Sequence, residues 1–181
     1  MSVCVPRSHL ILILFILNIP FVHAEDTKTA QELLSEGTDE LNAGSLNNAI
    51  SRFTKAIEID GHLSKAFNNR GVAYAQQGSL ARAIDDFTMA IAENPKDFDA
   101  YNNRGLAYAH KGDFTQAIFD YTKSIELNTF YVRAYNNREA AYFKLKDYDK
   151  AWSDVHTVEV IGGKNNPDFI ADLKKASSKE K

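Results

Sequence analysis

Between residues 30 and 165 the apolar positions fall into pairs of short runs with helical spacing, each pair parted by a turn. The first runs read Phe67/Gly71/Tyr74, Tyr101/Gly105/Tyr108 and Tyr135/Glu139/Tyr142. The second runs read Ala83/Phe87/Ala90, Ala117/Tyr121/Ser124 and Ala151/Val155/Val158. Gly78 and Gly112 mark a tight turn inside each pair, and Pro95 marks a turn between pairs. The segment Ala66–Tyr74 returns as Ala100–Tyr108 and again as Ala134–Tyr142, 34 residues further on each time. This period predicts four stacked helical hairpins, residues 30–63, 64–97, 98–131 and 132–165. In the first unit Leu33, Gly37, Gly44, Ala49, Phe53 and Ala56 keep the pattern, while Glu40 replaces the second aromatic.

The pattern has a packing reason. A large ring on one helix needs a small residue opposite it if the two helices are to approach closely. Gly71 and Gly105 lie one turn after one aromatic and one turn before another. A helical glycine costs about 1 kcal/mol relative to alanine, so close packing must offset that cost.

These residues resemble the tetratricopeptide repeat (TPR) over roughly residues 30–165, with the large residue, Gly, Tyr, Gly, Ala, Phe, Ala and Pro at the family's spacing. The resemblance implies an all-α, right-handed α-solenoid of four TPR hairpins whose concave groove is lined by the first helix of each. Unit 4 departs from the pattern: Glu139 replaces Gly, Lys146 replaces the turn Gly, and Gly162-Gly163 replace the usual end. Such a unit is expected at the end of an array. Residues 166–181 then read as a capping helix and polar tail, with Phe169, Ile170 and Leu173 covering the open end.

A charge pattern repeats with the hairpins. Arg70, Arg104 and Arg138 are each followed 16 residues later by Asp86, Asp120 and Asp154. Unit 1 has Glu36 and Arg52 in the same slots with the signs reversed, so pairing between units would set like charges together. Four ion pairs within hairpins are therefore expected. As exposed pairs they would contribute only ~0–1 kcal/mol each.

The candidate partner-binding residues are two columns of asparagine, Asn68, Asn102 and Asn136 beside Asn69, Asn103 and Asn137. An amide both donates and accepts, so such a ladder could grip the backbone of an extended peptide. It resembles the asparagine ladder in the superhelix of O-GlcNAc transferase. For Asn69, Asn103 and Asn137 a bond to the neighbouring hairpin is an equal expectation; the first column is assigned to the groove. Val72, Leu106 and Phe143 would add an apolar floor. A resemblance to the polar clamp of chaperone-tail-binding TPRs extends to Lys65 and Arg133 alone.

The formal net charge of −3, without a basic stretch, argues against nucleic acid as a partner. His62, His110 and His156 are scattered without metal-ligand spacing, and no phosphate loop or nucleophile elbow is present. Neither an enzyme, a cofactor nor a metal is expected. The reading is a protein-binding adaptor that takes a peptide segment or short helix of another protein. The alternatives are a homo-oligomeric structural component and a small-molecule-binding or enzymatic protein.

The N-terminus reads as an address. Arg7 precedes the apolar run Leu10–Leu17, and Pro20, Val22 and Ala24 follow it, as in a cleavable secretory signal over residues 1–24. Residues 25–29 would form a short lead-in. The run is shorter than the ~20 apolar residues that span a bilayer, so no membrane span is expected after cleavage. Cleavage also removes Cys4, the single cysteine, leaving a fold without disulfides. The expected location is the periplasm in a bacterium, or otherwise the secretory lumen or exterior.

Overall fold

The computed structural model describes residues 28–178, so the predicted signal at 1–24 lies outside the described residues. Within them the chain forms α1 (Ala30–Asn42), α2 (Leu46–Ile59), α3 (Ser64–Gln76), α4 (Leu80–Glu93) and α5 (Phe98–His110). It continues through α6 (Phe114–Leu127), α7 (Val132–Lys144), α8 (Tyr148–Val160) and α9 (Pro167–Ser177). No strand occurs among the described residues, and the architecture is an all-α solenoid of TPR hairpins. No helix of the described residues is long and apolar enough to cross a membrane.

Local chemistry sets the boundaries. The Thr29 hydroxyl accepts from the Glu32 N–H while the Glu32 carboxylate accepts from the Thr29 N–H, a reciprocal cap that starts α1. Inside the hairpins the chain reverses through a left-handed residue, Gly78 at φ 78° and Gly112 at φ 84°. There the N–H of Ser79 and of Asp113 reaches back to the carbonyl of Tyr74 and of Tyr108. Lys146 performs the same reversal at φ 61° and carries the steric cost of a side chain there.

Packing along each hairpin follows the ring-and-glycine rule. A Cβ on Gly71 would lie 2.7 Å from the Phe87 ring, and one on Gly105 would lie 2.8 Å from Tyr121. Successive hairpins join through α2–α3, α4–α5 and α6–α7. The first helices also touch one another, α1 with α3, α3 with α5 and α5 with α7, whereas the second helices have no comparable contacts. The array therefore curves with α1, α3, α5 and α7 on its inner side.

The α9 helix closes the last hairpin. Leu173, fully buried, packs with Ala151 and Val155, and the Trp152 indole N–H donates to Ser177 Oγ at 3.4 Å. Phe143 faces Phe169 and Tyr148, with ring centroids 5.6 and 5.7 Å away. This corrects the assignment of Phe143 to the binding groove. Among the described residues α9, not a further hairpin, follows α8 and covers this end of the core, Phe143 included.

Candidate protein-binding groove

Each predicted arginine–aspartate pair forms within its own hairpin. Arg70 reaches Asp86 through two bonds of 2.8 Å, and Arg104 reaches Asp120 in the same way. Arg138 holds Asp154 at 2.9 and 2.7 Å. The forked geometry suits guanidinium and carboxylate planes. Asp86, Asp120 and Asp154 are all buried, which corrects the expectation of exposed, weak pairs. Unit 1 differs: Arg52 Nε lies 3.4 Å from Glu36, whose other oxygen accepts from Lys28.

A third member of the clasp escaped the sequence reading. The remaining amino group of Arg70, Arg104 and Arg138 donates to Thr54, Thr88 and Thr122 Oγ1 of the preceding hairpin. Each threonine hydroxyl in turn donates to a carbonyl one turn earlier, at Ile50, Ile84 or Ile118, which leaves its oxygen free to accept. The 34-residue recurrence of these threonines was the available signal. The arginines thus lock register within a hairpin and tie it to its neighbour.

The asparagine columns are largely engaged with each other. Asn103 Nδ2 donates to Asn68 Oδ1 at 3.1 Å, and Asn137 Nδ2 donates to Asn102 Oδ1 at 2.9 Å. Asn69 Nδ2 donates to Thr38 Oγ1 at 3.2 Å. Asn102 is 1% exposed, which overturns its assignment as a groove residue: its side chain is turned into the joint between hairpins. Asn136 is half-buried and directs its amide toward the Lys164 carbonyl at 3.5 Å. Asn68 borders a shallow lateral depression with Lys65, Lys96, Asp97 and Asp99. A buried amide is costly without partners, and the Asn137 amide one hairpin away supplies one to Asn102 Oδ1, while Asn102 Nδ2 has none among the described residues.

What the groove offers a guest is centred elsewhere. Between α3 and α5 a cavity of about 300 Å³ is lined by Val72, Ala75, Leu106 and Ala107, with Phe87 also contributing to its wall. Asn103, Gln76 and His110 complete its lining. Leu106, which lines this cavity, is 40% exposed. The sequence-predicted floor residues Val72 and Leu106 therefore meet, while Phe143 lies apart from them.

Glu139 occupies the slot of Gly71 and Gly105 in the last hairpin. It is 3% exposed, and Oε2 has no hydrogen-bond partner. Burial, aided by the Asp154 charge, pushes its carboxyl up to about 8. The facing position, Phe87 or Tyr121 elsewhere, is Val155 here, and the smaller side chain leaves room for the glutamate.

The tetratricopeptide-repeat sequence pattern matches residues 64–97 and 98–129, the two units that form the cavity. A crystal structure of the MamA protein is 30% identical, covering 72% of this chain and 72% of that one, with a TM-score of 0.68. The chain belongs to the tetratricopeptide-repeat family. A second MamA crystal structure is 28% identical over 76% of this chain and 81% of its own, with a TM-score of 0.72. The first TPR domain of Spaghetti (RPAP3), bound to the HSP90 peptide SRMEEVD, is 27% identical. That match covers 65% of this chain and 94% of the RPAP3 domain, with a TM-score of 0.64. A search of curated protein sequences returned no match. TPR proteins generally mediate protein–protein interactions, and their fold is in general a non-enzymatic scaffold.

Proposed function

We propose that this TPR protein is an exported adaptor that holds a segment of a partner protein against the inner faces of α3 and α5. The observation that carries the reading is the apolar cavity between Val72 and Leu106 on the concave side of the array. Apolar lining with a few polar groups at the margin suits a site that buries a side chain. The peptide on the RPAP3 domain, SRMEEVD, is rich in carboxylates. The cavity here is lined by no lysine or arginine, so a different class of segment is favoured.

The outer face of α1 supports an adaptor over a head-to-tail oligomer. Interior joints place buried alanines in two slots of the first helix: Ala66 and Ala73, Ala100 and Ala107, Ala134 and Ala141. These slots face the preceding hairpin, and in α1, which has none before it among the described residues, the same register puts Glu32 and Asp39 there. Charged residues in those slots oppose stacking of one copy on another.

Export is supported by the sequence of residues 1–24. N-terminal sequencing of the cell-made protein should begin at Glu25; a chain beginning at Met1 would refute cleavage. For the groove, affinity capture from the envelope or secretory fraction is compared between the native chain and Leu106→Glu. A captured species lost with the variant, at unchanged melting temperature, supports the reading. Equal capture by both would place the interaction on another face.

A further inference from the structure

We infer that α9 is a cap held in place by a proton: when Glu139 gives its proton up, α9 lifts from the last hairpin and uncovers Phe143, Tyr148 and Trp152. The device is separate from the groove between α3 and α5 and does not depend on it.

Three observations carry it. First, α9 is lightly held. Leu173 is its one buried residue, whereas α5 buries Ala100, Asn102, Gly105 and Ala107. A terminal element with little buried surface opens at lower cost than the whole fold. The last hairpin itself is fixed, because Arg138 grips Asp154 on α8 and Thr122 on α6. Second, three acceptors at this end of the array lack donors. Asn136 Oδ1, Glu139 Oε2 and Asn165 Oδ1 are buried oxygens without a hydrogen-bond partner among the described residues. Asn136 and Glu139 lie one turn apart on α7. Asn165, in the 161–166 connection, donates to the Val155 carbonyl, and the Asn136 amide points at Lys164 beside it. One joint earlier, the equivalent oxygen of Asn102 accepts from Asn137. Third, a charged Glu139 would have no counter-ion. Its charged neighbour Asp154 is itself an acid, and the clasp arginines Arg138 and Arg104 are committed to Asp154 and Asp120. The other titratable groups of α8, Asp149, Lys150, His156 and Glu159, are exposed. So are Lys164 in the connection and Asp168, Asp172, Lys174 and Lys175 on α9. Water is the remaining partner for the charge, and α9 is the element that yields to admit it. Burial, with Asp154 beside it, keeps the proton on the closed form up to about 8, against an ordinary value of 4.5. The closed-to-open ratio therefore falls about tenfold per pH unit between these values and levels off above them, on the order of a thousandfold in all.

The chain's single tryptophan reports the cap, since the Trp152 indole N–H donates to Ser177 on α9. Its emission and the far-UV circular dichroism of the full chain are followed from about pH 5 to about pH 9. The titration is repeated with His156→Gln, because that imidazole stacks on Trp152 at 5.8 Å and can quench it independently of α9. In both chains the emission should move to the red as pH rises and level off above about 8. Helix loss should not exceed the 11 residues of α9, which are too few to stay helical once undocked. Leu173→Asp, which unseats α9 directly, should give the red emission at every pH. Glu139→Gln should stay blue throughout, as should Glu139→Gly, which repeats the residue found at Gly71 and Gly105. At a fixed pH of about 8, trypsin should cut α9 at Lys174 and Lys175 about tenfold faster in the native chain than in Glu139→Gln. A flat native emission, an equal shift in both Glu139 variants, or a shift that comes only with loss of most of the helix would overturn the inference.

Discussion

The third and fourth hairpins use one backbone plan with opposite chemistry at the joint. In α5–α6, Gly105 makes way for the Tyr121 ring; in α7–α8, Val155 makes way for Glu139. Both joints exclude water. The third gains apolar contact area, whereas the fourth buries a carboxyl with an unpartnered oxygen beside Asp154. The comparison teaches that a repeat can conserve its geometry by trading volume between facing slots, while its local stability becomes dependent on protonation. The difference falls where the array stops repeating and α9 takes over the cover.

The sharpest break of this comparison lies in the clasps. Arg104→Leu leaves Asp120 buried and unpaired and removes the tie to Thr88, so a loss of about 3–5 kcal/mol is expected from urea unfolding. Arg52→Leu, at the longer and more exposed pair of unit 1, should cost less than about 1 kcal/mol. Equal losses would show that the interior clasps carry no special weight.

Glu139 gives a pH test of the fourth hairpin. Its folded-state carboxyl holds the proton up to about 8, against an ordinary value of 4.5. Between those values the unfolded chain has lost the proton and the folded chain keeps it, so stability is greatest below 4.5 and falls as pH rises through 8. The decline should be on the order of 5 kcal/mol at most, read from unfolding at a series of pH values. Glu139→Gln should flatten that slope; a slope unchanged in the variant would assign the effect to other groups.

Gly105→Ala should cost ~1–3 kcal/mol by crowding Tyr121. Conversely, Glu139→Gly and Val155→Tyr together should rebuild the interior joint, with the pair more stable than the sum of the single changes predicts by about 0.5–3 kcal/mol. Additive single effects would mean that the two slots do not exchange volume. The smallest expected effect is at the turn: Lys146→Gly should stabilise by about 1 kcal/mol, since φ 61° strains a side chain. No gain in thermal midpoint would show that the strain is relieved locally.

The hairpins, their order and the arginine–aspartate partners were readable because equivalent residues recur at a fixed interval, and a sign reversal at Glu36 and Arg52 separated two pairing schemes. The threonine partners were visible as a recurrence but carried no charge that would draw attention to them. The asparagines show why recurrence alone misassigned part of the site. Adjacent residues on a helix differ in direction by about 100°, and a small rotation decides which amide meets the groove and which the next hairpin. Asn102 fell on the hairpin side. Phe143 was misplaced for a related reason: its slot faces the groove only where a further hairpin follows, and here α9 packs instead.

What the sequence by itself determined is the repeated unit: which residues are equivalent, where the chain turns, and which rings need a glycine. Period and side-chain size are properties of the chain alone. Tertiary structure decided how those units face one another. The apolar cavity between Val72 and Leu106, the asparagine bonds between hairpins and the raised Glu139 carboxyl all arise at joints. Burial and hydrogen-bond partners at a joint depend on helix rotation and on what packs next, and neither is written into the period.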